Sequence, residues 1–242
     1  MNYKKIVIDK KLFLSLLLII ILLLFINYHD NEVSDVKYIV LKNFRDMSEE
    51  EFSYLDVSKE CSMSLENYLF LGDSITHRYN IDKYFPDIPI VNSGVEGDTT
   101  LGILNNIENR VYIYNPTKIF LLIGTNQVES QTAEEIFNGI RDIVEEIKEN
   151  REFADIYIES IYPVNSNISG PARWKDNKKI IEINKMIKDY SLENHVFYID
   201  VYSSLLDEDD NLDVRYTIDG LHLNDKGYEV VTEVLKKYLM DC

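Results

Sequence analysis

The sequence predicts an α/β fold in which a five-stranded parallel sheet lies between two layers of helices. Short apolar runs rich in Ile, Val, Tyr and Phe alternate along the chain with longer stretches of helical periodicity. The runs are four to six residues long and bounded by turn residues, as is typical of strands buried on both faces. Serial strand and helix units favour right-handed crossovers and the flavodoxin-like strand order.

The predicted elements follow one another from residue 68 to residue 239. The strands are predicted at Tyr68–Leu71, Ile88–Val91, Lys118–Ile123, Ile156–Ile161 and Val196–Val201. The helices are predicted at Thr100–Tyr114, Ala133–Asn150, Arg173–Asn194 and Lys226–Leu239. Thr132 and Glu135 have the spacing of a capping box that opens the second helix, and Asn224 is a suitable N-cap for the last.

The first 27 residues have the pattern of a membrane segment. Residues 12–26 are apolar except for Ser15, and four lysines precede them. A retained signal-anchor and a cleaved secretory signal both begin in this way, but no small-residue cleavage site follows, which favours the anchor. The run covers about 23 Å at ~1.5 Å per residue, so flanking Lys and Tyr28 side chains would span the remainder of a ~30 Å hydrocarbon core. A buried core helix is the weakest interpretation, because the charge is one-sided.

The predicted organisation therefore has four parts. Residues 1–11 form a cytoplasmic lead, 12–27 a transmembrane helix, 28–66 a polar stalk and 67–242 an exported domain. The formal charge of -17 divides into +3 on residues 1–27, which hold four Lys and one Asp, and -20 on the remainder, which holds 21 basic and 41 acidic residues. This balance, without a Lys/Arg cluster, excludes nucleic acid as a partner. Cys61 and Cys242 allow at most one disulfide and lack the spacing of a zinc site.

Polar motifs follow the predicted strands, where ligands bind in this architecture. After the first strand, Gly72-Asp73-Ser74 places a hydroxyl and a backbone N–H at a sharp turn into a helix. After the second strand, Gly94 allows a substrate to approach the backbone closely. After the third strand, the amide of Asn126 could donate to an oxyanion.

An acid and an imidazole lie three residues apart just before the last predicted helix, at Asp219 and His222. This spacing lets the carboxylate accept a hydrogen bond from one ring nitrogen and leaves the other as a base for Ser74. Each motif alone is weak, since such short patterns arise by chance. Their joint order along the chain is what indicates a serine-dependent site.

With these residues in hand, the sequence resembles the SGNH/GDSL hydrolases, small flavodoxin-like esterases and lipases. The matching blocks are GDSIT at 72–76, NSGVEGDTT at 92–100, GTN at 124–126 and DGLHLN at 219–224, within a resemblance that covers residues 67–240. It implies that Ser74 is the nucleophile, His222 the base and Asp219 its orienting acid. It also implies an oxyanion hole made by the Ser74 N–H, the Gly94 N–H and the Asn126 side chain. Gln127 departs from the family's frequent GTND, which we expect to tune activity rather than abolish it.

Three further residues are candidate substrate contacts. Asp73 precedes the serine, and Tyr162 follows the fourth predicted strand. Trp174, the only tryptophan, lies in the next loop and either stacks on a sugar ring or packs at a helix start. The acidic residues 207–210 are interpreted as a solvated loop, with calcium binding as the alternative.

The expected activity is acyl transfer to water without a metal or cofactor, since no phosphate-binding loop or metal-ligand cluster is present in the sequence. The resemblance favours an O-acetylesterase acting on carbohydrate or peptidoglycan outside the membrane. A lysophospholipase or thioesterase, an acyltransferase with the same residues, and a non-catalytic envelope-binding module are the alternatives. The sequence gives no indication of the oligomeric state.

Overall fold

The computed structural model describes residues 67–151 and 153–239. In this part of the chain a parallel sheet has the order β2-β1-β3-β4-β5, which confirms the predicted flavodoxin-like topology. The strands are β1 (Tyr68–Gly72), β2 (Ile90–Gly94), β3 (Lys118–Leu122), β4 (Asp155–Glu159) and β5 (Phe197–Ile199). The predicted lead, transmembrane helix and stalk lie outside the described residues, as do Cys61 and Cys242. Among the residues that are described, no helix has both the length and the apolar character needed to cross a membrane.

Helices connect the strands and cover both faces of the sheet. They are α1 (Ser74–His77), α2 (Ile81–Tyr84), α3 (Thr100–Asn105), α4 (Ile107–Arg110), α5 (Ala133–Asn150), α6 (Asn177–Glu193) and α7 (Asp225–Leu239). Short 3₁₀ turns lie at Tyr112–Tyr114, Thr125–Gln127 and Tyr202–Leu205.

The two faces of the sheet build two separate apolar clusters, because successive strand residues point in opposite directions. On one face Leu69 of β1 packs in a cluster with Ile140 of α5 and Ile183 of α6. On the other face Phe70 of β1 packs with residues of α1, α2 and α7, among them Leu235. The arrangement is the predicted three-layer α/β/α fold.

Helix α5 has the predicted bounds because its ends and its buried face are both explicit in the sequence. The Thr132 hydroxyl accepts from the Glu135 N–H at 3.2 Å, and the Glu135 carboxylate accepts from the Thr132 N–H at 2.8 Å. This is the predicted capping box. The predicted cap of α7 is also present, since Asn224 Oδ1 accepts from the Gly227 N–H at 3.1 Å.

The prediction of one continuous helix at Thr100–Tyr114 is wrong. The chain leaves helical geometry at Asn106, with φ -127° and ψ 20°, and again at Val111, with φ -129°. The Asn106 side chain donates to the Gly102 carbonyl at 3.0 Å, the kind of local bond by which Asn competes with the helical ladder. Helix α6 likewise begins four residues later than predicted, because Asp176 caps it by accepting from the Lys178 N–H.

Strand β2 lies further along the chain than the predicted Ile88–Val91. It includes Asn92 and Ser93 and pairs Gly94 with Gly72 of β1. The polar side chains are accommodated because each has a partner: Asn92 Nδ2 donates to two backbone carbonyls of the neighbouring segment at 2.8 and 3.1 Å, and Ser93 Oγ donates to the Arg110 carbonyl at 2.9 Å. Gly94 is therefore the last residue of a strand and not part of the following loop.

Candidate active site

Ser74, His222 and Asp219 form a hydrogen-bonded chain at the carboxyl edge of the sheet. Ser74 Oγ lies 3.1 Å from His222 Nε2, and His222 Nδ1 lies 2.6 Å from Asp219 Oδ2. When Nδ1 donates to the carboxylate, Nε2 is the nitrogen left to accept a proton from the serine. The structure thus brings together the three residues that the sequence selects as nucleophile, base and orienting acid.

Ser74 is held at the turn between β1 and α1 by the residue before it. Asp73 is the N-cap of α1, and its Oδ1 accepts from the Ile75 N–H at 2.9 Å. Because Ser74 is the first helical residue, its backbone N–H has no acceptor within the helix. The Ser74 N–H is therefore left outside the helical hydrogen bonds, as a donor to an oxyanion must be.

Asp219 and His222 are held by their own backbone as well as by their side chains. Asp219 Oδ1 accepts from the N–H groups of Leu221 and His222 at 3.0 and 2.8 Å. Partial burial raises the pKa of Asp219, but the hydrogen bonds from the His222 ring and from these two N–H groups outweigh that effect, so its pKa lies below its usual value. The carboxylate is consequently ionised at neutral pH and can stabilise an imidazolium.

Two further candidate donors of an oxyanion hole lie at the end of β2 and in the turn after β3. Asn126 Nδ2 donates to the Asp98 carbonyl at 2.9 Å, which leaves its second N–H for another acceptor. The Gly94 N–H donates to Asn92 Oδ1 at 2.9 Å. An oxyanion at this position would have to share or replace that side-chain acceptor, a feature that the sequence motif does not reveal.

Gly94 is required by packing and not only by access to the backbone. A Cβ atom there would lie 2.1 Å from the His77 backbone nitrogen and 2.5 Å from its Cα. The end of β2 therefore approaches α1 so closely that only glycine fits. This contact links the position of Gly94 to the helix that begins at Ser74.

The three candidate substrate contacts have different environments. Asp73 is fully buried, and burial raises its pKa to about 7 against the lowering effect of the Ile75 N–H. Tyr162 is 3% exposed and its hydroxyl donates to buried Glu159 at 2.5 Å. Ser74 is itself only 3% exposed, so burial does not decide a contact beside the reacting centre, and both contacts stay predictions. Trp174 is 66% exposed with the Arg173 guanidinium over its ring, so its proposed sugar contact stays a prediction.

Gln127 replaces the acidic residue of the GTND pattern without breaking the loop. Its Oε1 accepts from the Thr100 N–H at 3.0 Å, and its Nε2 donates to Thr100 Oγ1 at 3.0 Å and to Gln131 Oε1 at 2.8 Å. The buried amide thereby joins the loop of Asn126 to the start of α3. A neutral group that both donates and accepts preserves this connection.

Sequence reasoning missed Arg110, whose guanidinium reaches the carboxyl ends of β1 and β2. It stood in the predicted helix Thr100–Tyr114 as one charged residue among several. Only the break of that helix at Asn106 explains how α4 can turn this side chain inward. No local pattern marks it.

A second concave region lies away from the catalytic residues. A cavity of about 530 Å³ is lined by residues at the amino ends of β1 and β2, including Asn67 and Ile90, at the edge of the sheet opposite to Ser74. Within residues 67–151 and 153–239, no group of three or more His, Cys, Asp or Glu side chains is placed to hold a metal ion. The calcium alternative at residues 207–210 therefore has no supporting cluster there.

A parallel sheet in flavodoxin-like order, with a Ser–His–Asp chain at its carboxyl edge, defines a serine-dependent hydrolase of the α/β class. The chain belongs to the GDSL-like Lipase/Acylhydrolase family, whose profile matches residues 70–230. It is accordingly an SGNH/GDSL-type hydrolase, as the sequence motifs indicate.

Individual relatives agree with this assignment. The rat (Rattus norvegicus) platelet-activating factor acetylhydrolase IB subunit alpha2 is 29% identical over 188 residues, which cover 75% of this chain and 79% of that protein. A Streptococcus pneumonia structure assigned as a platelet activating factor is 28% identical, with a TM-score of 0.68, and covers 86% of this chain and 100% of its own. An acetylxylan esterase from Geobacillus stearothermophilus, 18% identical with a TM-score of 0.59 over 73% of this chain and 95% of its own, shares the fold.

Proposed function

We propose that this protein is a serine esterase that removes short acyl groups, foremost O-acetyl groups, from carbohydrate of the cell envelope or the surroundings. Membership of an acylhydrolase family supports ester hydrolysis. The observation that carries the proposal is the chain of hydrogen bonds from Ser74 Oγ to His222 Nε2 and from His222 Nδ1 to Asp219. We further propose that residues 12–27 hold the enzyme in the membrane with its catalytic domain outside.

The proposed reaction proceeds through an acyl-enzyme. Ser74 attacks the ester carbonyl while His222 Nε2 takes the hydroxyl proton and then delivers it to the departing alcohol. The negative oxygen of the tetrahedral intermediate is held by the Ser74 N–H, the Gly94 N–H and the Asn126 amide. Water, activated by His222, then attacks the acyl group and releases the free acid and the serine.

An acetyl group appears in the names of two of the similar proteins. The rat relative is called an acetylhydrolase, and the likeness to the acetylxylan esterase extends to the fold alone. A carbohydrate as the alcohol part of the ester is supported by Trp174, which is 66% exposed although the Arg173 guanidinium lies over one face of its ring.

A lipid ester is the second candidate, and exposed apolar side chains favour it. Several residues from segments near the candidate site are 44% to 66% exposed, and such side chains suit an apolar part of a substrate. They are Val95, Leu101, Trp174, Val214 and Ile218. This candidate corresponds to a lysophospholipase or thioesterase with the same three catalytic residues.

The first experiment tests the nucleophile. Ser74→Ala should reduce hydrolysis of p-nitrophenyl acetate to the uncatalysed background, because the hydroxyl that attacks the ester is removed. Ser204→Ala, which removes an exposed serine, is the matched control and should retain wild-type rates. A fluorophosphonate probe should label wild-type protein but not Ser74→Ala. Full activity of Ser74→Ala would refute the proposed mechanism, and a folded wild-type protein that resists the probe would favour a non-catalytic envelope-binding module.

The second experiment separates the substrates. Acetate release from O-acetylated peptidoglycan and from acetylated xylan is compared with fatty-acid release from a lysophospholipid. A series of p-nitrophenyl esters from acetate to octanoate gives the acyl-length preference. We expect acetate release and a preference for the shortest acyl chain, whereas faster release of long chains would select the lipid candidate. Transfer of the acetyl group to an added sugar in place of water would identify an acyltransferase.

A further inference from the structure

The Arg110 side chain joins the carboxyl ends of two strands. It is 12% exposed and lies at the end of α4. Its Nη2 donates to the Gly72 carbonyl at 3.0 Å and to the Ser93 carbonyl at 2.5 Å, and its Nε donates to Ser93 Oγ at 3.0 Å. Its Nη1 pairs with the Asp98 carboxylate, whose side chain is 9% exposed. One guanidinium thus contacts β1, β2 and the loop that follows β2.

Each residue that Arg110 contacts lies close in the chain, or by a hydrogen bond, to a candidate oxyanion donor. The Ser93 carbonyl belongs to the same peptide unit as the Gly94 N–H. The Gly72 carbonyl ends β1 two residues before Ser74. The Asp98 backbone carbonyl accepts the hydrogen bond from the Asn126 amide at 2.9 Å.

We propose that Arg110 is a positioning residue that sets the three donors of the oxyanion hole relative to one another. The proposal rests on the esterase function proposed above. A guanidinium suits this role because its donors lie in a rigid plane and it stays charged at all relevant pH values. Lysine, a single ammonium on a flexible chain, cannot hold the same four acceptors together.

The contact with the Ser93 carbonyl has an electronic effect as well as a geometric one. A donor on the carbonyl oxygen polarises the peptide unit and makes its N–H a stronger donor, as in other hydrogen-bonded chains. The N–H in question is that of Gly94. The Asp98 carboxylate balances the charge of Arg110, so the pair can be buried close to the site.

A role confined to stability has different consequences from a role in positioning. Loss of a structural tie would lower the melting temperature and leave the turnover of the folded fraction unchanged. Loss of oxyanion geometry lowers kcat with little change in KM, because the affected interactions form only in the transition state. The ratio of these two effects therefore distinguishes the alternatives.

The experiment compares Arg110→Gln and Arg110→Lys with wild type on p-nitrophenyl acetate. Arg151→Gln is the matched control, because Arg151 is also partly buried and donates to a backbone carbonyl, that of Tyr112, at 2.8 Å, but contacts none of the candidate oxyanion donors or their neighbours. We expect Arg110→Gln to reduce kcat about 10-fold to 100-fold, less than the roughly 10²–10³-fold typical of removing a donor itself. Arg110→Lys should fall between Arg110→Gln and wild type, with KM within about threefold in both. Arg151→Gln should keep the wild-type kcat.

A double-mutant cycle with Asn126→Ala completes the test. If Arg110 acts through the donors, the combined loss is smaller than the product of the single losses. A multiplicative loss, or a folded Arg110 variant with kcat within about twofold of wild type, would overturn the proposal. Should Arg110→Gln fail to fold, the same two criteria apply to Arg110→Lys. If Ser74→Ala is inactive while the Arg110 variants are fully active, only the role of Arg110 fails; if Ser74→Ala is active, the proposed function fails.

Discussion

The Asp219 carboxylate uses its two oxygens for two different tasks. Oδ1 accepts from the backbone N–H groups of Leu221 and His222, and Oδ2 accepts from the His222 ring. The short turn from Asp219 to His222 therefore orients the imidazole even before a substrate binds. An amide in place of the carboxylate can satisfy only one of these tasks.

We expect Asp219→Asn to reduce kcat by about 10³–10⁴, the loss typical of this change in a serine triad. The amide oxygen would keep the two backbone N–H groups, so the amide NH₂ would face His222 Nδ1. That nitrogen must then be unprotonated, which leaves the proton on Nε2 and prevents it from accepting the proton of Ser74. Steady-state hydrolysis of p-nitrophenyl acetate, with circular dichroism to confirm the fold, provides the measurement. Activity within tenfold of wild type would show that Asp219 does not orient the base.

Glu159, at the end of β4, is an acid that the proposed mechanism does not use. It is 5% exposed, and burial raises its pKa from 4.5 to about 7, although the hydrogen bond from the Tyr162 hydroxyl lowers it. The folded state thus binds a proton more tightly than the unfolded state does. The resulting stability is complete below the usual pKa of 4.5 and is lost as the pH rises through about 7.

Glu159→Gln should remove this dependence. At pH 8 the variant should have a free energy of unfolding about 1 to 3 kcal/mol higher than wild type, and the difference should vanish near pH 4. Urea unfolding at a series of pH values measures it. Glu145→Gln is the control, since the hydrogen bond from Tyr190 lowers the pKa of Glu145, so its loss should destabilise the protein as the pH rises. A pH-independent difference for Glu159→Gln would contradict the buried-acid interpretation.

The residues predicted best are those whose role depends on neighbours in the chain. Ser74 is fixed by the turn after β1, and His222 lies three residues from its acid, so short motifs were sufficient to find both. The partner of the Gly94 N–H and the burial of Tyr162 depend on packing between elements. Arg110 is the extreme case, because all its acceptors except Asp98 lie 17 or more residues away.

Predictability at the scale of elements follows the same division. Helix α5 was predicted to the residue because a capping box begins it and a stripe of isoleucines buries one face. The segment 100–114 carries a similar apolar pattern, but the hydrogen bond from Asn106 to Gly102 and the turn at Val111 divide it. Strand β2 differs from the predicted Ile88–Val91 because Asn92 and Ser93 are polar and their hydrogen-bond partners come from other elements.

The close contact between β2 and α1 can be tested by mutation of Gly94. Gly94→Ala places a Cβ 2.1 Å from the His77 backbone nitrogen, so the helix that begins at Ser74 must move. We expect activity to fall by at least about 10²-fold, because a displacement of about 1 Å at a reacting group has effects of that size. The loss is measured as kcat/KM on p-nitrophenyl acetate, together with the melting temperature.

Gly97→Ala, in the loop that follows β2, is the control. A Cβ at Gly97 meets no atom within 4 Å, although its φ of +72° makes alanine strained there by about 1 kcal/mol. Gly97→Ala should therefore lower stability slightly and retain most of the activity. Equal losses in the two variants would attribute the effect to loop strain rather than to the collision with α1.

In the molecule as a whole, the acidic charge and the long apolar run lie in different parts of the chain. Residues 1–27 carry +3 and the apolar run, whereas residues 28–242 carry -20. An acidic domain is repelled by anionic lipid headgroups and wall polymers. Attachment of the enzyme to a membrane would therefore depend on the apolar run alone and not on surface charge.

The full chain should accordingly stay in the membrane fraction through washes with about 1 M salt and with alkaline carbonate. These conditions remove proteins that are bound by electrostatic attraction. It should also keep its intact mass of 28.4 kDa, because a retained anchor is not cleaved. Leu18→Arg with Ile21→Arg should abolish retention, since each arginine near the centre of a membrane helix costs roughly 2.5 to 3.5 kcal/mol. Leu18→Ile with Ile21→Leu, which keeps the run apolar, should be retained like wild type. Release of the wild-type protein by salt would refute hydrophobic anchoring. A shortened chain in the medium would identify a cleaved secretory signal, because only an anchor requires the fifteen-residue run to remain part of the mature protein.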